Sequence, residues 1–359
     1  MTKKVAIIGT VGLPAKYGGF ETLANYLTLH LAQRYELTVY CSSKGCEGTP
    51  EMYNGAQLRY VPLRANGVQS ILYDVVSILS ALRYADTILI LGVSGCVVLP
   101  FLKLISRRKF VVNIDGLEWK REKWSSFAKW FLKLSEKLAV GSADSIVTDN
   151  KVIQDYVLSE YSKPSTLIAY GGDQASNIAI NYGTHTRYPF LKQKYALSVC
   201  RIEPENNLHM ILEAASQSSV LPLVIAGNWG SSEYGRTLRA AYSSVEGIHL
   251  LDPIYDQCDL DQLRSNCWLY LHGHSAGGTN PSLVEAMSLG LPVYAFDIDY
   301  NRETTENSAR YFSSSGELAE MLKDLNESTL SDIGGQMAEI AARRYRWEIV
   351  AAQYAALLD

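Results

Sequence analysis

The chain has 359 residues, with 33 Lys and Arg, 37 Asp and Glu and a formal net charge of −4. Hydrophobic residues make up 47% and charged residues 19%, which excludes a disordered or fibrous chain, and the length favours two domains. The six cysteines show no CxxC spacing, so neither a zinc cluster nor a disulfide framework is expected, and free thiols fit a reducing cytoplasm. The uncharged run at residues 87–102 is too short and too broken by Gly and Pro to span a membrane.

Short apolar strands alternate with amphipathic helical segments along the chain. A first series of predicted strands comprises 5–8, 37–40, 87–90, 111–114 and 145–148, and a second comprises 197–200, 223–226, 248–251, 268–271 and 293–296. Between them, residues 171–189 are rich in Gly, Asn, Thr and Tyr and show no regular period. This pattern predicts two doubly wound α/β domains with parallel sheets, joined by a linker.

The two halves differ in charge. Residues 1–165 carry 20 basic and 14 acidic residues, whereas the remainder carries 13 basic and 23 acidic residues. The basic half is therefore the one expected to meet an anionic surface. Ligands of doubly wound domains bind beyond the carboxyl ends of the strands, and in a two-domain protein the cleft between the domains is the expected site.

The loop after the first strand is rich in glycine and opens a helix. Gly18 and Gly19 would let backbone N–H groups approach an anion. The spacing matches neither GxGxxG nor GxxxxGK[ST], which argues against a nicotinamide fingerprint and a P-loop. Glu21 is either a functional carboxylate or a first-turn residue that complements the helix dipole.

The segment that follows the strand at 111–114 combines acidic, basic and aromatic residues. Asp115 ends a buried strand, where an ionised carboxylate is costly unless it has a function. Beyond it, aromatic residues and lysines interleave up to residue 138, and three of the six tryptophans fall within 119–130. Such a helix either packs on the core with its lysines in water or lies in a membrane interface, and the basic half favours the membrane.

Two loops of the second series carry candidate anion-binding groups. Arg201 can make a forked contact with phosphate oxygens, although it could equally form an interdomain salt bridge. Gly277 and Gly278 precede Asn280, a suitable N-cap, so the helix start would offer N–H groups to a phosphate. Glu285 lies further along that helix, where it would accept hydrogen bonds from sugar hydroxyls.

Two short motifs have the spacing of metal sites but lack further ligands. Asp297-Ile-Asp299 has the form of the metal-binding Asp-x-Asp of one class of sugar transferases, and His272 and His274 are two positions apart. We interpret the aspartates as structural and the histidines as hydrogen-bond donors that line the cleft. No metal is expected.

These motifs resemble retaining family 4 glycosyltransferases of the GT-B fold and, more narrowly, their bacterial rhamnosyltransferase branch. The resemblance is carried by residues 17–21, 115–121, 168–173, 201–207, 277–282, 285–292 and 345–354. It implies two facing Rossmann-like domains. The implied segments are an acceptor- and membrane-side domain at 1–168, a linker at 169–190, a nucleotide-sugar-binding domain at 191–340 and a helix at 341–359 that crosses back to the first domain.

The resemblance also implies an activity. The expected reaction moves rhamnose from dTDP-β-L-rhamnose to a hydroxyl of an undecaprenyl-diphosphate-linked saccharide in capsule or cell-wall synthesis, with retention of configuration and without metal or other cofactor. The expected location is cytoplasmic, peripherally on the inner face of the plasma membrane through residues 119–138, and no nucleic-acid partner is expected. Alternatives are a UDP-hexose transferase, a sugar-nucleotide 2-epimerase or a non-catalytic sugar-nucleotide binder; a nicotinamide oxidoreductase is weakened by the missing fingerprint.

Matching positions give the candidate site residues. The predicted catalytic residues are Asp115, Lys120 and Arg201. The predicted donor-binding residues are Gly18, Gly19, Arg201, Glu205, Asn206, Ile254, Tyr255, His274, Gly277, Gly278, Thr279, Asn280 and Glu285. The predicted acceptor-side residues are Glu21, Asp115, Glu118 and Trp119.

Each group has an expected role. Arg201 and the N–H groups of 278–280 would stabilise the departing diphosphate, and Asp115 would orient or deprotonate the acceptor hydroxyl. Gly277 replaces the first Glu of the family's Glu-x7-Glu pair, and Asn206 replaces its phosphate-binding lysine. We expect Lys120 or Lys16 to supply the missing charge.

Overall fold

The computed structural model describes residues 2–15, 18–44, 48–114, 116–120, 125–218 and 220–359. They form two compact units. The first comprises Met1–Tyr170 and Trp347–Asp359, and the second comprises Gly171–Arg346. Within the described ranges no helix is both long and apolar enough to cross a lipid bilayer.

The first unit is built around a largely parallel sheet. Its strands are β1 (Lys4–Ile8), β2 (Glu36–Ser42), β3 (Met52–Tyr53), β4 (Ala56–Val61), β5 (Thr87–Leu91), β6 (Lys109–Asn113), β7 (Ser145–Thr148) and β8 (Thr166–Leu167). They are ordered β3-β4-β2-β1-β5-β6-β7-β8, and β3 pairs antiparallel with β4 at one edge. β1 and β5 are almost completely buried, which explains their continuous runs of Val, Ile and Leu.

Helices cover both faces of this sheet. They are α1 (Gly19–Leu31), α2 (Gln69–Ala81), α3 (Leu99–Ile105), α4 (Ser126–Ser142), α5 (Lys151–Tyr161) and, at the end of the chain, α14 (Trp347–Leu358). α1 connects β1 to β2 on one side of β1 in the strand order, whereas α2, α3 and α4 lead to β5, β6 and β7 on its other side. Because such crossovers are right-handed, α1 lies on one face and α2, α3 and α4 lie on the other. α14 packs against α1, where the rings of Tyr26 and Trp347 stack with their centroids 4.5 Å apart.

The second unit has a parallel sheet in the order β11-β10-β9-β12-β13-β14. These strands are β9 (Ala196–Val199), β10 (Leu223–Ala226), β11 (Ile248–Leu251), β12 (Leu269–His272), β13 (Val293–Phe296) and β14 (Arg310–Phe312). The helices are α6 (Tyr182–Arg187), α7 (Leu208–Ser218), α8 (Glu233–Tyr242), α9 (Gln257–Ser265), α10 (Pro281–Ser288), α11 (Asp299–Thr304), α12 (Ser315–Lys323) and α13 (Glu327–Arg344). The strand order reverses between β9 and β12, as in a doubly wound sheet.

All ten strands predicted from apolar runs are present, and the expected pair of doubly wound sheets is confirmed. The strands that the sequence did not predict are β3, β4, β8 and β14. Three of these contain only two or three residues, and β4 mixes exposed polar with buried apolar positions, so none forms a clear apolar run.

The segment after Tyr170 belongs to the second unit rather than standing apart from it. The backbone N–H groups of Ser176 and Asn181 donate to the side chains of Asp261 (3.1 Å) and Gln262 (2.9 Å) on α9. At the other end, the predicted helix at 341–359 is divided, because α13 ends at Arg344 and α14 begins at Trp347.

The predicted continuous helix over 119–138 is wrong at its start. Residues Glu118–Lys120 form a separate 3-10 turn, and α4 begins at Ser126. The cause is local, because the Ser125 hydroxyl caps α4 by accepting a hydrogen bond from the Ala128 N–H (3.3 Å).

Candidate functional site

The switch point of the second sheet brings two loops together. The loop after β9 contains Arg201 and Glu205, and the loop after β12 contains Ser275. The N–H and hydroxyl of Ser275 both donate to the Glu205 carbonyl, at 2.8 and 2.9 Å. Asn207 Nδ2 donates to the Gly273 carbonyl at 2.9 Å. The structure therefore joins two segments that the sequence analysis singled out separately.

Two glycines give the loop after β12 its course. At Gly273 an added Cβ would lie 2.1 Å from the Asn206 carbonyl oxygen, so only glycine lets the two loops approach. Gly277 has φ +109° and open space around its missing Cβ. A glutamate at position 277, as in the broader family, would require a backbone conformation that side-chain-bearing residues rarely adopt.

Arg201 is partly exposed at the end of the β9 loop. Its side chain is 39% exposed, and its Nη2 lies 3.8 Å from Glu205 Oε1, a weak pair that leaves donors for another anion. Asn206 behaves differently, because its side chain is buried and its Nδ2 donates to the Arg201 carbonyl. Asn206 Oδ1 has no hydrogen-bond partner among the described residues. Asn206 therefore supports the loop that carries Arg201.

The start of α10 is capped. Asn280 Oδ1 accepts from the Ser282 N–H (3.0 Å) and the Ser282 hydroxyl (2.8 Å), and Pro281 has no N–H. The amides predicted to meet a phosphate are those of Gly278, Thr279 and Asn280, which precede the first turn. Thr279 is buried, so that loop is anchored on its inner side.

Glu285 lies one turn into α10 and is held by two donors. Arg264 Nη2 lies 2.6 Å from Glu285 Oε2, and Gln174 Nε2 donates to Glu285 Oε1 at 2.6 Å. Arg264 Nη1 also lies 3.4 Å from Asp261 Oδ1, and Asp261 accepts from Gln257 Nε2 (2.9 Å). The second unit thus contains a buried arginine flanked by two carboxylates.

The protonation behaviour of this cluster follows from burial. Burial raises the pKa of Glu285, and the positive charge of Arg264 opposes that rise. Burial likewise raises the pKa of Asp261, against the hydrogen bond from the Ser176 N–H. No sequence motif predicts Arg264, Asp261 or Gln174 as site residues, because they lie far from Glu285 in the sequence.

Two histidines stack beside the switch point. The rings of His272 and His274 are nearly parallel, with centroids 4.7 Å apart. Burial lowers the pKa of His272 to about 3, so its ring is neutral at neutral pH, and its Nε2 has no partner in the described part of the chain. Asn301 Nδ2 donates to the His274 carbonyl at 2.8 Å, which fixes the backbone there.

A pocket of about 440 Å³ opens in the second unit beside the end of β11. Ile254 and Tyr255, predicted to contact the base of the nucleotide, line it together with Arg187 and Asp259. Tyr255 is 64% exposed, so its ring offers an open face to a planar group.

In the first unit, Glu21 supports the glycine-rich loop. Its Oε1 accepts from the Val11 N–H at 2.7 Å, and a Cβ added at Gly18 would lie 2.0 Å from its Oε2. Gly18 and Gly19 lie at the start of α1 and belong to the first unit, whereas the other predicted donor-binding residues belong to the second unit.

A buried carboxylate holds the turn of the predicted acceptor residues. Trp119 Nε1 donates to Glu136 Oε2 at 3.0 Å, and the hydroxyls of Tyr156 and Tyr161 each donate to Glu136 Oε1 at 2.6 Å. Lys120 Nζ lies 5.6 Å from the Trp119 ring centroid. Glu136 was not predicted, although an acid between Leu132 and Ala139 on the buried stripe of α4 is a readable signal.

Three groups of predicted residues lie outside the described ranges. They are the candidate catalytic residue Asp115, the candidate cation Lys16 with its neighbour Tyr17, and Arg121, Lys123 and Trp124 of the basic aromatic segment. Glu118, Trp119 and Lys120 are described, and they form a 3-10 turn that follows Asp115 in the sequence and precedes residues 121–124.

Two family models match the chain, each over less than half of it. Residues 2–173 match a model described as "Domain of unknown function (DUF1972)", and residues 187–344 match one described as "Glycosyl transferases group 1". Residues 187–344 carry a group 1 glycosyltransferase domain. None of the curated proteins compared with the chain matches it in sequence. This glycosyltransferase domain contains the two joined loops, Arg201 and Glu285.

Solved structures with the same fold cover nearly the whole chain. Sucrose-phosphate synthase from Thermosynechococcus elongatus is 14% identical, with a TM-score of 0.83 over 99% of this chain and 98% of that one. HepE from Anabaena, solved with UDP and glucose, is 17% identical, with a TM-score of 0.78 over 99% of each chain. A glycosyltransferase from Rickettsia africae is 10% identical, with a TM-score of 0.73 over 99% of this chain and 98% of that one.

These likenesses confirm the GT-B fold expected from the sequence. The match of residues 187–344 to the group 1 model supports a glycosyltransferase. The rhamnosyltransferase branch remains a prediction.

Proposed function

We propose that the protein transfers a sugar from a nucleotide diphosphate donor to a hydroxyl of a lipid-diphosphate-linked saccharide. The observation that carries this proposal is the junction of the Arg201 loop with the loop that leads into α10, inside the group 1 domain. The loop that carries the partly exposed Arg201 and the loop that leads to the amides of 278–280 follow neighbouring strands of one sheet and are hydrogen-bonded to each other. This combination suits a diphosphate, whose negative charge grows as the sugar departs.

The donor would lie across the second unit. The diphosphate would lie at Arg201 and the amides of 278–280, and the base would occupy the pocket lined by Ile254 and Tyr255. Glu285 would accept hydrogen bonds from the ribose with lone pairs that Arg264 and Gln174 leave available. HepE, which shares the fold, has been solved with UDP-glucose, which supports a nucleotide-sugar donor for this chain.

The finer assignment follows the sequence resemblance. We propose dTDP-β-L-rhamnose as the donor, retention at the anomeric carbon and a metal-independent reaction. The acceptor would be an undecaprenyl-diphosphate-linked saccharide, reached at the inner face of the plasma membrane. Asp115 would orient or deprotonate its hydroxyl, and Lys120 or Lys16 would add positive charge at the leaving group. Glu118 and Trp119 belong to the acceptor side in this proposal.

A donor panel tests the reaction. dTDP-, UDP- and GDP-sugars are incubated with a synthetic lipid diphosphate saccharide, with and without EDTA, and products are read by mass spectrometry. We expect transfer from dTDP-rhamnose that EDTA leaves unchanged. Transfer from UDP-hexose alone would replace the donor assignment, and a rearranged donor without transfer would indicate an epimerase. Nucleotide binding without turnover would favour a non-catalytic binder.

Arg201→Ala tests the role of the guanidinium. Loss of a preorganised donor to the leaving group is expected to lower turnover by about 100-fold or more. Arg239→Ala is the matched control, because Arg239 is similarly exposed (43%) in the same unit but pairs with Asp252 on the surface. The control is expected to stay within about twofold of the parent protein. Equal turnover in the two variants would overturn the assignment of Arg201.

A further inference from the structure

Exposed apolar side chains are concentrated in one part of the first unit. Fifteen large apolar residues are exposed in the described part of the chain. Nine of them lie on or directly before α2, α3 and α4: Val68, Leu72, Val76, Leu79, Phe101, Leu104, Ile105, Phe127 and Trp130. We call these nine side chains the three-helix face. Exposed apolar residues that cluster on one surface mark an interaction site.

The pattern within α2 is regular. Val68, Leu72, Val76 and Leu79 recur at intervals of four, four and three residues, so they form one stripe along the helix. The residues of α2 that pack inward are others, including Tyr73 and the buried Asp74. The outward stripe is therefore additional to the one that packs on the sheet.

The three helices share one side of the sheet. The connections β4–α2–β5, β5–α3–β6 and β6–α4–β7 all cross in the same direction, which places α2, α3 and α4 on the same face. α3 contacts α4, and the 3-10 turn Cys96–Val98 contacts both α2 and α4. The apolar residues of the three helices thus belong to neighbouring elements of one layer.

The exposed charge of these helices has one sign. α2, α3 and α4 contain four lysines, Lys103, Lys129, Lys133 and Lys137, none of which is buried. Their two carboxylates, Asp74 and Glu136, are both buried, at 3% and 1% exposure. Two of the lysines also pair with acids on neighbouring segments, Lys103 with Asp144 (2.6 Å) and Lys133 with Glu160 (3.1 Å). Helices whose own exposed residues are apolar or basic complement an anionic lipid bilayer.

We infer that the three-helix face docks on the interface of an anionic lipid bilayer, with α2 and α3 contributing as well as the basic aromatic helix α4. This inference rests on the proposed function in one respect, because the proposed acceptor is lipid-linked and therefore lies in such a bilayer. A second copy of the chain fits less well, because a symmetric pairing of this face would bring lysines opposite lysines.

Vesicle sedimentation without donor or acceptor tests the docking. The chain is mixed with phosphatidylcholine vesicles that contain about one third phosphatidylglycerol, and with phosphatidylcholine alone. We expect binding to the anionic vesicles, weakened by salt. The variant Leu72→Ser/Leu104→Ser, with one change on α2 and one on α3, is expected to lower the partition coefficient about tenfold. Lys129→Glu/Lys137→Glu is expected to remove the preference for anionic lipid.

Leu29→Ser is the matched control, because Leu29 is 56% exposed, close to the 59% of Leu72, but lies on α1 across the sheet. It is expected to bind vesicles like the parent chain. Parental binding by Leu72→Ser/Leu104→Ser would overturn the contribution of α2 and α3. The bilayer assignment would be wrong if the parent chain did not bind vesicles and eluted as a dimer, while the Leu72→Ser/Leu104→Ser variant eluted as a monomer. The occupant of this face would then be a second copy of the chain.

The failure of this inference is distinguishable from failure of the proposed function. Calorimetry of dTDP binding probes the proposed donor site in the second unit, and this binding is expected to be unchanged in the Leu72→Ser/Leu104→Ser variant. Vesicle binding without any transferase activity would uphold the docking surface and reject the reaction. Transfer activity without vesicle binding would do the reverse.

Discussion

Removal of Arg264 is expected to destabilise the second unit strongly. Its side chain is 2% exposed, with Nη2 2.6 Å from Glu285 Oε2 and Nη1 3.4 Å from Asp261 Oδ1. Arg264→Met keeps much of the volume but leaves two buried carboxylates without their cation. Breaking a buried pair in this way costs about 3–5 kcal/mol. Because Glu285 keeps the Gln174 donor and Asp261 keeps the Ser176 N–H, we expect about 3 kcal/mol.

Hydrogen exchange of the α9 and α10 amides measures this loss in the second unit alone, which matters because two units need not unfold together. Protonation relieves a buried carboxylate, and burial already raises the pKa of Glu285. The destabilisation is therefore expected to be larger near pH 8 than near about pH 5.5. Adding Glu285→Gln is expected to recover about 1 kcal/mol or more, since it removes one unpaired charge.

Arg236→Met, at an exposed site in α8, is the control and is expected to change stability by less than about 0.5 kcal/mol. A loss below about 1 kcal/mol in Arg264→Met, or a loss that does not change with pH, would refute the view that this cluster is held by charge.

Three other changes probe separate features. Gly277→Ala is expected to add about 1–3 kcal/mol of strain at φ +109° and to weaken dTDP binding in calorimetry. Gly316→Ala in α12, where an added Cβ also meets open space, is expected to be neutral or stabilising, and equal effects of the two changes would contradict this account. His272 has its pKa lowered to about 3 in the folded chain, so the unfolded chain binds a proton below about pH 6.5 that the folded chain excludes, and stability falls as the pH drops. At pH 5 this loss is about 2 kcal/mol, and His272→Asn is expected to reduce it in denaturant titrations; an unchanged loss would place its cause elsewhere. Glu136→Gln is expected to weaken the hydrogen bonds that the Glu136 carboxylate accepts, by about 1–2 kcal/mol, and therefore to speed hydrogen exchange at Trp119. Unchanged protection of Trp119 would show that packing alone holds the turn.

The strands were predictable because parallel strands covered on both faces need continuous apolar runs. β1 and β5 illustrate this, since nearly every residue in them is buried. β4 was missed because its residues alternate between exposed polar and buried apolar positions near the sheet edge. The 3-10 turn at 118–120 was missed because aromatic spacing continues through it, whereas the cap at Ser125 is a local hydrogen bond that the spacing does not reveal.

Candidate residues of the proposed site could be predicted where they directly follow a strand. Arg201 and Gly277 were found in this way, because the carboxyl ends of β9 and β12 meet at the switch point. The partners of Glu285 were not predictable, because Arg264 and Gln174 come from α9 and from the segment after Tyr170, and only the fold brings them within 2.6 Å. Asn206 resembled a ligand by position, yet the structure places its amide beneath the loop.

The two sheets use equivalent switch-point loops in opposite ways. In the second unit the loop after β9 presents Arg201, partly exposed, to solvent. In the first unit the equivalent loop, after β1, already contains an anion of its own, because Glu21 accepts from the Val11 N–H and lies against Gly18. A second anion brought to those amides would face the Glu21 carboxylate at short range, which costs energy. The proposed position of the diphosphate in the second unit thus follows from the local loops and not from the net charge of each half. The surplus of basic residues in the first half instead includes the four lysines among the apolar residues of α3 and α4, where an extended anionic surface could engage several of them at once.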